Sequence, residues 1–149
     1  MNLPNLEKFD PFLRETFKYK APSLPQDFKE KTVTYAPLIL ILESLLALSS
    51  VLTFFGLGTP FLNPYYGYSL QVQGGIFYLL RLVVLVFTRT LRLIAVKPLI
   101  NRDKKGWRLV YLSIFANTIY DFLAFDFFGL IMVALLSFYL LYQIEDFYS

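Results

Sequence analysis

Two long apolar halves of this chain flank residues 98–108, which read PLINRDKKGWR. Four of these residues carry a positive charge: Arg102, Lys104, Lys105 and Arg108. Short loops rich in Lys and Arg stay on the cytoplasmic side of a membrane protein. The stretch therefore predicts a polytopic membrane protein with this basic loop in the cytoplasm.

Composition limits the classes of protein to which the chain can belong. Hydrophobic residues make up 56% of its 149 residues and charged residues 17%, a balance that one soluble core of this size does not hide. Basic residues gathered on one side of a membrane explain the net charge of +3 better than a nucleic-acid partner does, so we expect no such partner. Cysteine and histidine are absent, which excludes disulfides, thiolate chemistry and the commonest metal ligand.

Four stretches are apolar enough to predict transmembrane helices: residues 33–55, 74–97, 107–123 and 127–144. Pro98 is expected to end the second helix. So few residues join the third and fourth that they predict an antiparallel hairpin. The expected fold is all-α, with a membrane domain over residues 33–149, two helical hairpins and an uncharged outer loop at 56–73.

Residues 1–32 are predicted to form a cytoplasmic amphipathic segment. Asp10 followed by Pro11 is a favoured helix start, and apolar side chains recur every three to four positions at Leu6, Phe9, Leu13 and Phe17. Two interpretations stay open: a helix lying flat on the cytoplasmic leaflet, which we favour, or a docking face for a partner protein. The basic residues of this segment support an orientation with both chain termini in the cytoplasm.

Ionisable residues inside a predicted span cost about 2.5–3.5 kcal/mol each, so each requires a reason. Glu43 lies near the middle of the first span and Arg81 lies in the second, at depths that differ by roughly 7 Å. Ser113, Asn117 and Asp121 share one face of the third helix. We predict an intramembrane polar cluster of Glu43, Arg81, Asn117 and Asp121, with Arg81 between Glu43 and the Asn117 face. A structural clamp is the favoured interpretation, and a substrate, proton or ion site is the alternative.

Two further arginines, Arg89 and Arg92, lie toward the cytoplasmic end of the second span. Their side chains are expected to extend to the lipid headgroups. Alternatively they form, with Arg81, a basic stripe facing a partner or an anionic lipid. The aromatic content of 19% allows a bound pigment or quinone, but helix packing and lipid contact explain it equally well, so the identity of any cofactor stays open.

Several short stretches resemble a group of small uncharacterised bacterial membrane proteins. These stretches are residues 102–109 (RDKKGWRL), 138–144 (FYLLYQI) and 147–148 (FY), with 20–25 (KAPSLP) and 36–37 (AP) similar to the group's entry segment. Its members pair a basic-Gly-Trp loop with a tyrosine-rich C-terminus. The resemblance implies four spans in a bacterial inner (plasma) membrane, or in an internal membrane derived from it, and implies no activity. The arginines of the second span depart from the group, where aliphatic residues would be expected.

Three functional hypotheses follow. The first is a non-catalytic integral membrane accessory or scaffold subunit, which contacts membrane lipids and packs against other integral membrane subunits of a larger complex. The second is a small oligomeric transporter or channel that uses Glu43, Arg81 and Asn117. The third, an enzyme acting on lipid, would need a carboxylate pair such as Asp121 with Asp126. Because the sequence offers no nucleophile or metal site beside that pair, we expect no enzymatic activity.

Overall fold

The computed structural model describes residues 10–54, 76–123, 125 and 127–148. All regular elements in these ranges are helical, which confirms the all-α prediction. A short helix, α1 at Asp10–Arg14, continues as a π-helical turn at Glu15–Lys20. Three long helices follow: α2 at Gln26–Phe54, α3 at Ile76–Ile100 and α4 at Lys104–Leu123.

The last helix, α5, consists of three consecutive pieces. It begins as α-helix at Phe127–Gly129, continues as π-helix at Leu130–Ala134 and ends as α-helix at Leu135–Gln143. A 3₁₀ turn at Glu145–Phe147 follows it. The helices pack in chain order, with α2 along α3, α3 closely against α4, and α4 against α5.

Helix boundaries differ from the predicted spans mainly at α2 and α3. The helix α2 begins at Gln26 rather than at residue 33, so the predicted domain boundary falls inside one continuous helix that also contains Pro37. The helix α3 passes through Pro98 and ends two residues later, at Ile100. A proline removes one backbone hydrogen bond but does not always break a helix, and α3 packs against both α2 and α4. The predicted outer loop at 56–73, Leu6, Phe9 and Asp126 lie outside the described residues.

One narrow seam holds α2 against α3. Its buried residues follow at intervals of four, three, four and three positions: Val33, Pro37, Leu40, Ser44 and Ala47. That period keeps the seam on one side of the helix, and the other sides of α2 expose large apolar side chains. Among the described residues, one stretch, Gln26–Leu48, has the length and apolar composition needed to cross a membrane.

The basic loop is a tight connection between α3 and α4. Arg102 has a left-handed backbone with φ of 56°, and the Asp103 amide donates to the Pro98 carbonyl at 2.8 Å, which closes α3. The Asp103 carboxylate accepts from the Lys105 amide at 2.9 Å and thereby starts α4. Gly106 then lies directly against the end of α3. A Cβ atom at position 106 would stand 2.7 Å from the backbone nitrogen of Leu99.

Replacing Gly106 with alanine is expected to destabilise the protein by about 1–3 kcal/mol, the usual cost of overpacking. The atoms that the new methyl group meets belong largely to the α3 backbone, so α4 has to move away from α3. This cost outweighs the gain of about 1 kcal/mol in helix propensity. Unfolding monitored by the fluorescence of Trp107, the single tryptophan, measures the change. The exposed neighbour Lys105 provides the control, since Lys105→Ala should alter stability by no more than about 0.5 kcal/mol.

Candidate functional site

A group of three charged residues joins α2 to α3 and is called here the Glu43 cluster: Glu43, Arg89 and Arg92. The Arg89 Nη1 atom lies 3.0 Å from Glu43 Oε2, and Arg92 Nη1 donates to the same oxygen. Arg92 also donates from Nε to the Ser113 hydroxyl at 3.2 Å. Ser113 is completely buried, so the cluster connects α2, α3 and α4.

The direction of side chains on antiparallel helices explains why Glu43 meets these two arginines. Each Cα–Cβ bond tilts toward the N-terminus of its own helix. The Glu43 side chain therefore leans toward the end of α3 that carries Arg92, while the Arg92 side chain leans back toward Glu43. The Arg81 side chain leans the same way along α3, but it starts on the other side of Glu43, so the lean takes it away from Glu43. The prediction that Arg89 and Arg92 extend to the headgroups is wrong, because both guanidinium groups bond Glu43.

The remaining members of the predicted polar cluster lie elsewhere along the helices. Arg81 is half-buried on α3, eight residues before Arg89, which is roughly 12 Å along the axis. Asn117 donates from Nδ2 to Asp121 Oδ2 at 3.0 Å, the contact that their i, i+4 spacing favours. Glu43 thus contacts Arg89 and Arg92, while the placement of Arg81 between Glu43 and Asn117 stays a prediction.

Polar contacts tie the N-terminal segment to the C-terminal end of α5. Glu145, which is only 5% exposed, accepts from Arg14 and from Lys18 Nζ at 3.2 Å. Lys18 also reaches Asp146 at 2.6 Å. The Gln143 side chain donates to the Phe17 carbonyl at 3.0 Å and accepts from the Leu24 amide at 3.2 Å. Together these contacts define the N-terminal dock.

Aromatic rings form the apolar half of the N-terminal dock. Phe17 stacks on Phe138 and Tyr142 at ring-centroid distances of 6.4 and 6.5 Å. Trp107 packs edge-on against Tyr142 at 5.6 Å and stacks on Tyr111 at 5.5 Å. The Trp107 indole donates to the Leu141 carbonyl at 2.9 Å. Aromatic pairs of this geometry contribute about 0.5–1.5 kcal/mol each beyond their burial.

In the N-terminal dock the amphipathic segment packs against the helical bundle of its own chain. Neither interpretation of the sequence included this contact. Leu13 and Phe17 pack against the chain's own core, while Phe12 and Tyr19 of the same segment are exposed. Glu145 was not predicted as a site residue. Its sequence signal is the i, i+4 spacing of Arg14 and Lys18, which places two cations on one side of a helix and so calls for an acidic acceptor.

The basic loop lies beside the N-terminal dock, since Trp107 packs against Tyr142 and the Arg102 charge acts on Tyr148. Arg102, Lys105 and Arg108 are exposed and Lys104 is half-buried. The N-terminal segment, the basic loop and the C-terminal turn therefore lie together at one end of the bundle, called here the basic end. Gly106 and Trp107 serve packing in this region, because one approaches the α3 backbone and the other bonds to α5.

Alkaline pH is expected to weaken the N-terminal dock. Burial on its own lowers the pKa of Lys18, but hydrogen bonds and charges from Asp146 and Glu145 outweigh it and raise the net pKa. Burial raises the pKa of the Tyr148 hydroxyl, against a smaller opposing effect of the Arg102 charge. When folding raises a pKa, the associated stability is present below the ordinary value and is lost as pH rises through the folded value. The loss should therefore begin above about pH 10.

The thermal unfolding midpoint, measured by Trp107 fluorescence between pH 8 and pH 11, tests this pH dependence. Lys18→Arg should reduce the alkaline loss because a guanidinium group keeps its charge over this range. Tyr148→Phe should remove the part that is due to the hydroxyl. If the midpoint fell equally in the parent protein and in both variants, these two groups would not be the cause.

Comparison with protein-family models, curated proteins and solved structures finds no match for this chain. Within the described ranges, no group of three or more acidic side chains is placed to hold a metal ion. The functional argument therefore depends on the Glu43 cluster, the N-terminal dock and the apolar surface of α2.

Proposed function

We propose that this protein is a non-catalytic integral membrane accessory or scaffold subunit, whose helices α2 to α5 cross the bilayer and pack against a larger membrane protein complex. The surface of α2 carries the proposal. Large side chains are exposed all along it: Tyr35, Leu38, Ile39, Ile41, Leu42, Leu45, Leu46, Leu48 and Leu52. A continuous apolar surface of this length favours contact with lipid or with another protein.

The polar contacts favour a structural role over transport. Glu43 is neutralised by two arginines, and Asn117 bonds to Asp121 on its own helix. Buried polar groups of this kind commonly hold transmembrane helices together. A transport pathway more often uses polar groups along a water-filled cavity between broken helices.

The basic end supports a definite orientation. The N-terminal segment, the basic loop and the C-terminal turn lie together there. The rule that segments rich in Lys and Arg face the cytoplasm therefore orients all three together. We place this end in the cytoplasm and the protein in a bacterial inner membrane, or in an internal membrane derived from it.

Purification from native membranes in a gentle detergent tests the proposal. We expect a heteromeric partner with membrane spans to co-purify at a fixed ratio. A homo-oligomer that conducts ions in liposomes would instead favour the small transporter or channel, and a monomer without a partner would remove the proposal.

A bulky substitution distinguishes a partner from lipid at the surface of α2. Leu42→Trp should displace a closely packed partner, because overpacking is costly against a protein surface, whereas fluid lipid adjusts to it. The control is Phe122→Trp, at an exposed position in the last turn of α4, which is at the end of the bundle away from the basic end. Retention of the partner by both variants would indicate that lipid covers Leu42.

A further inference from the structure

The Glu43 cluster carries an excess positive charge and is open on one side. One carboxylate meets two guanidinium groups, so the formal charges of the three side chains sum to +1. Both arginines bond the same carboxylate oxygen, Oε2. The side chains of Glu43 and Arg89 nevertheless keep 42% and 24% of their surface exposed, next to the apolar exposed residue Ile39.

The position of the cluster along α3 decides which anion can reach it. Arg89 lies eleven residues before the end of α3 at Ile100, which is roughly 16 Å at helical rise. In a bilayer with a hydrocarbon core about 30 Å thick, that distance places Arg89 near the middle, far from the lipid phosphates. Lys97, in the last turn of α3 and exposed, is the residue suited to headgroups. An anion at the depth of Arg89 is therefore a carboxylate carried by a neighbouring helix.

A second copy of this chain does not supply that carboxylate in a symmetric contact. In a two-fold dimer the same patch meets itself, so each copy would bring another net charge of +1 to the other. Like charges that face each other at an interface repel and suppress association. In a head-to-tail contact the other carboxylate of the predicted spans, Asp121, is buried and bonded to Asn117. We therefore assign the neighbouring helix to a different protein.

We propose that the Glu43 cluster binds an aspartate or glutamate side chain in a transmembrane helix of a different subunit, with Arg89 as the principal contact. The partner carboxylate brings the charges to balance and covers the open side of Glu43. This inference rests on the proposed function as an integral membrane accessory subunit. It adds the chemistry that fixes the partner's position, since a charged group within the membrane specifies a partner more strictly than apolar packing does.

Site-specific photo-crosslinking in native membranes locates the partner helix. Benzoylphenylalanine at Ile39, one turn from Glu43 on the same side of α2, should cross-link to a segment of another protein that has an Asp or Glu within one helical turn. The control is Leu45, which is also exposed but lies on the opposite side of α2. Cross-links from Leu45 alone, or from Ile39 only to lipid or to a second copy, would overturn the inference.

Substitutions at Arg89 test the charge. Arg89→Gln leaves Glu43 and Arg92 as a balanced pair, so the protein should fold, and the partner should dissociate roughly thirtyfold more readily, as expected when one member of a buried charge pair is removed. Arg89→Lys, which retains the charge, should keep the partner. Amide replacement of the acidic residue found by cross-linking should reproduce the loss.

The outcomes separate the inference from the proposed function. A partner that Arg89→Gln retains as well as the parent protein does would overturn the inference and leave the accessory role intact. Purification without any heteromeric partner would remove both. The unfolding midpoint reported by Trp107 fluorescence identifies any variant that has lost its fold. If Arg89→Gln is such a variant, the Arg89→Lys variant and the cross-link positions test the inference instead.

Discussion

Replacing Glu145 with glutamine is expected to release the N-terminal segment from the bundle. Glu145 is almost fully buried and accepts from both Arg14 and Lys18. Removing one member of a buried ion pair costs about 3–5 kcal/mol, because the other member loses its counter-charge. Both cations regain water once the segment detaches, so the cost appears as loss of docking rather than as unfolding of the long helices.

Trypsin cleavage after Lys18 and Lys20 measures this release. When opening is fast relative to cleavage, the rate follows the population of the open form, and a loss of about 3 kcal/mol raises it roughly a hundredfold. Asp146→Asn is the matched control, since Asp146 also bonds Lys18 but is 72% exposed. An exposed ion pair contributes about 0–1 kcal/mol, so cleavage should accelerate no more than about fivefold. Equal acceleration by both variants would contradict the central role of Glu145.

The helices were predictable because each is determined by local sequence. Long apolar runs predicted the positions of α2 to α5 to within a few residues at most ends, and the largest error was the start of α2 at Gln26. That helix begins in a charged stretch outside the apolar run, although Ser23 with Gln26 three residues on is a helix-start pattern of the capping-box type. The tight turn at residues 101–103 was recognised as a loop, but the close approach of Gly106 to Leu99 depends on how α3 and α4 meet.

The polar partners were harder to predict because they depend on direction and on contacts distant in sequence. Counting residues along two spans gives the depths of backbone atoms. By that measure Arg81 was a candidate partner for the Glu43 side chain. Side chains lean toward their own N-terminus, which shifts the meeting point toward Arg92. The N-terminal dock joins residues such as Phe17 and Tyr142, which are separated by most of the chain, and a single sequence contains no local pattern that pairs them.

Replacing Glu43 with glutamine is expected to destabilise the bundle by about 3 kcal/mol. The substitution leaves Arg89 and Arg92 without their shared carboxylate, and an unpaired arginine at the centre of a span costs about 2.5–3.5 kcal/mol. The figure lies at the lower end of the range for broken buried pairs, because the Glu43 side chain is partly exposed. We expect α2 to separate from α3, since within the described residues this cluster and the narrow seam join the two helices. Unfolding followed by Trp107 fluorescence, together with cysteine cross-linking between α2 and α3, measures the effect.

A triple variant without charges in the Glu43 cluster tests whether charge balance or side-chain packing holds α2 in place. When Glu43, Arg89 and Arg92 are all replaced by leucine, no uncompensated ion remains, and substitution of a whole buried ion cluster by apolar residues is commonly neutral or stabilising by about 1–4 kcal/mol. The triple variant should therefore recover the stability that Glu43→Gln loses, while Ser113 keeps its bond to the Val110 carbonyl. If the triple variant were as unstable as Glu43→Gln, packing of these side chains rather than charge balance would hold α2 in place. If it folds but no longer binds the heteromeric partner, the charges serve recognition of that partner, because the fold alone does not require them.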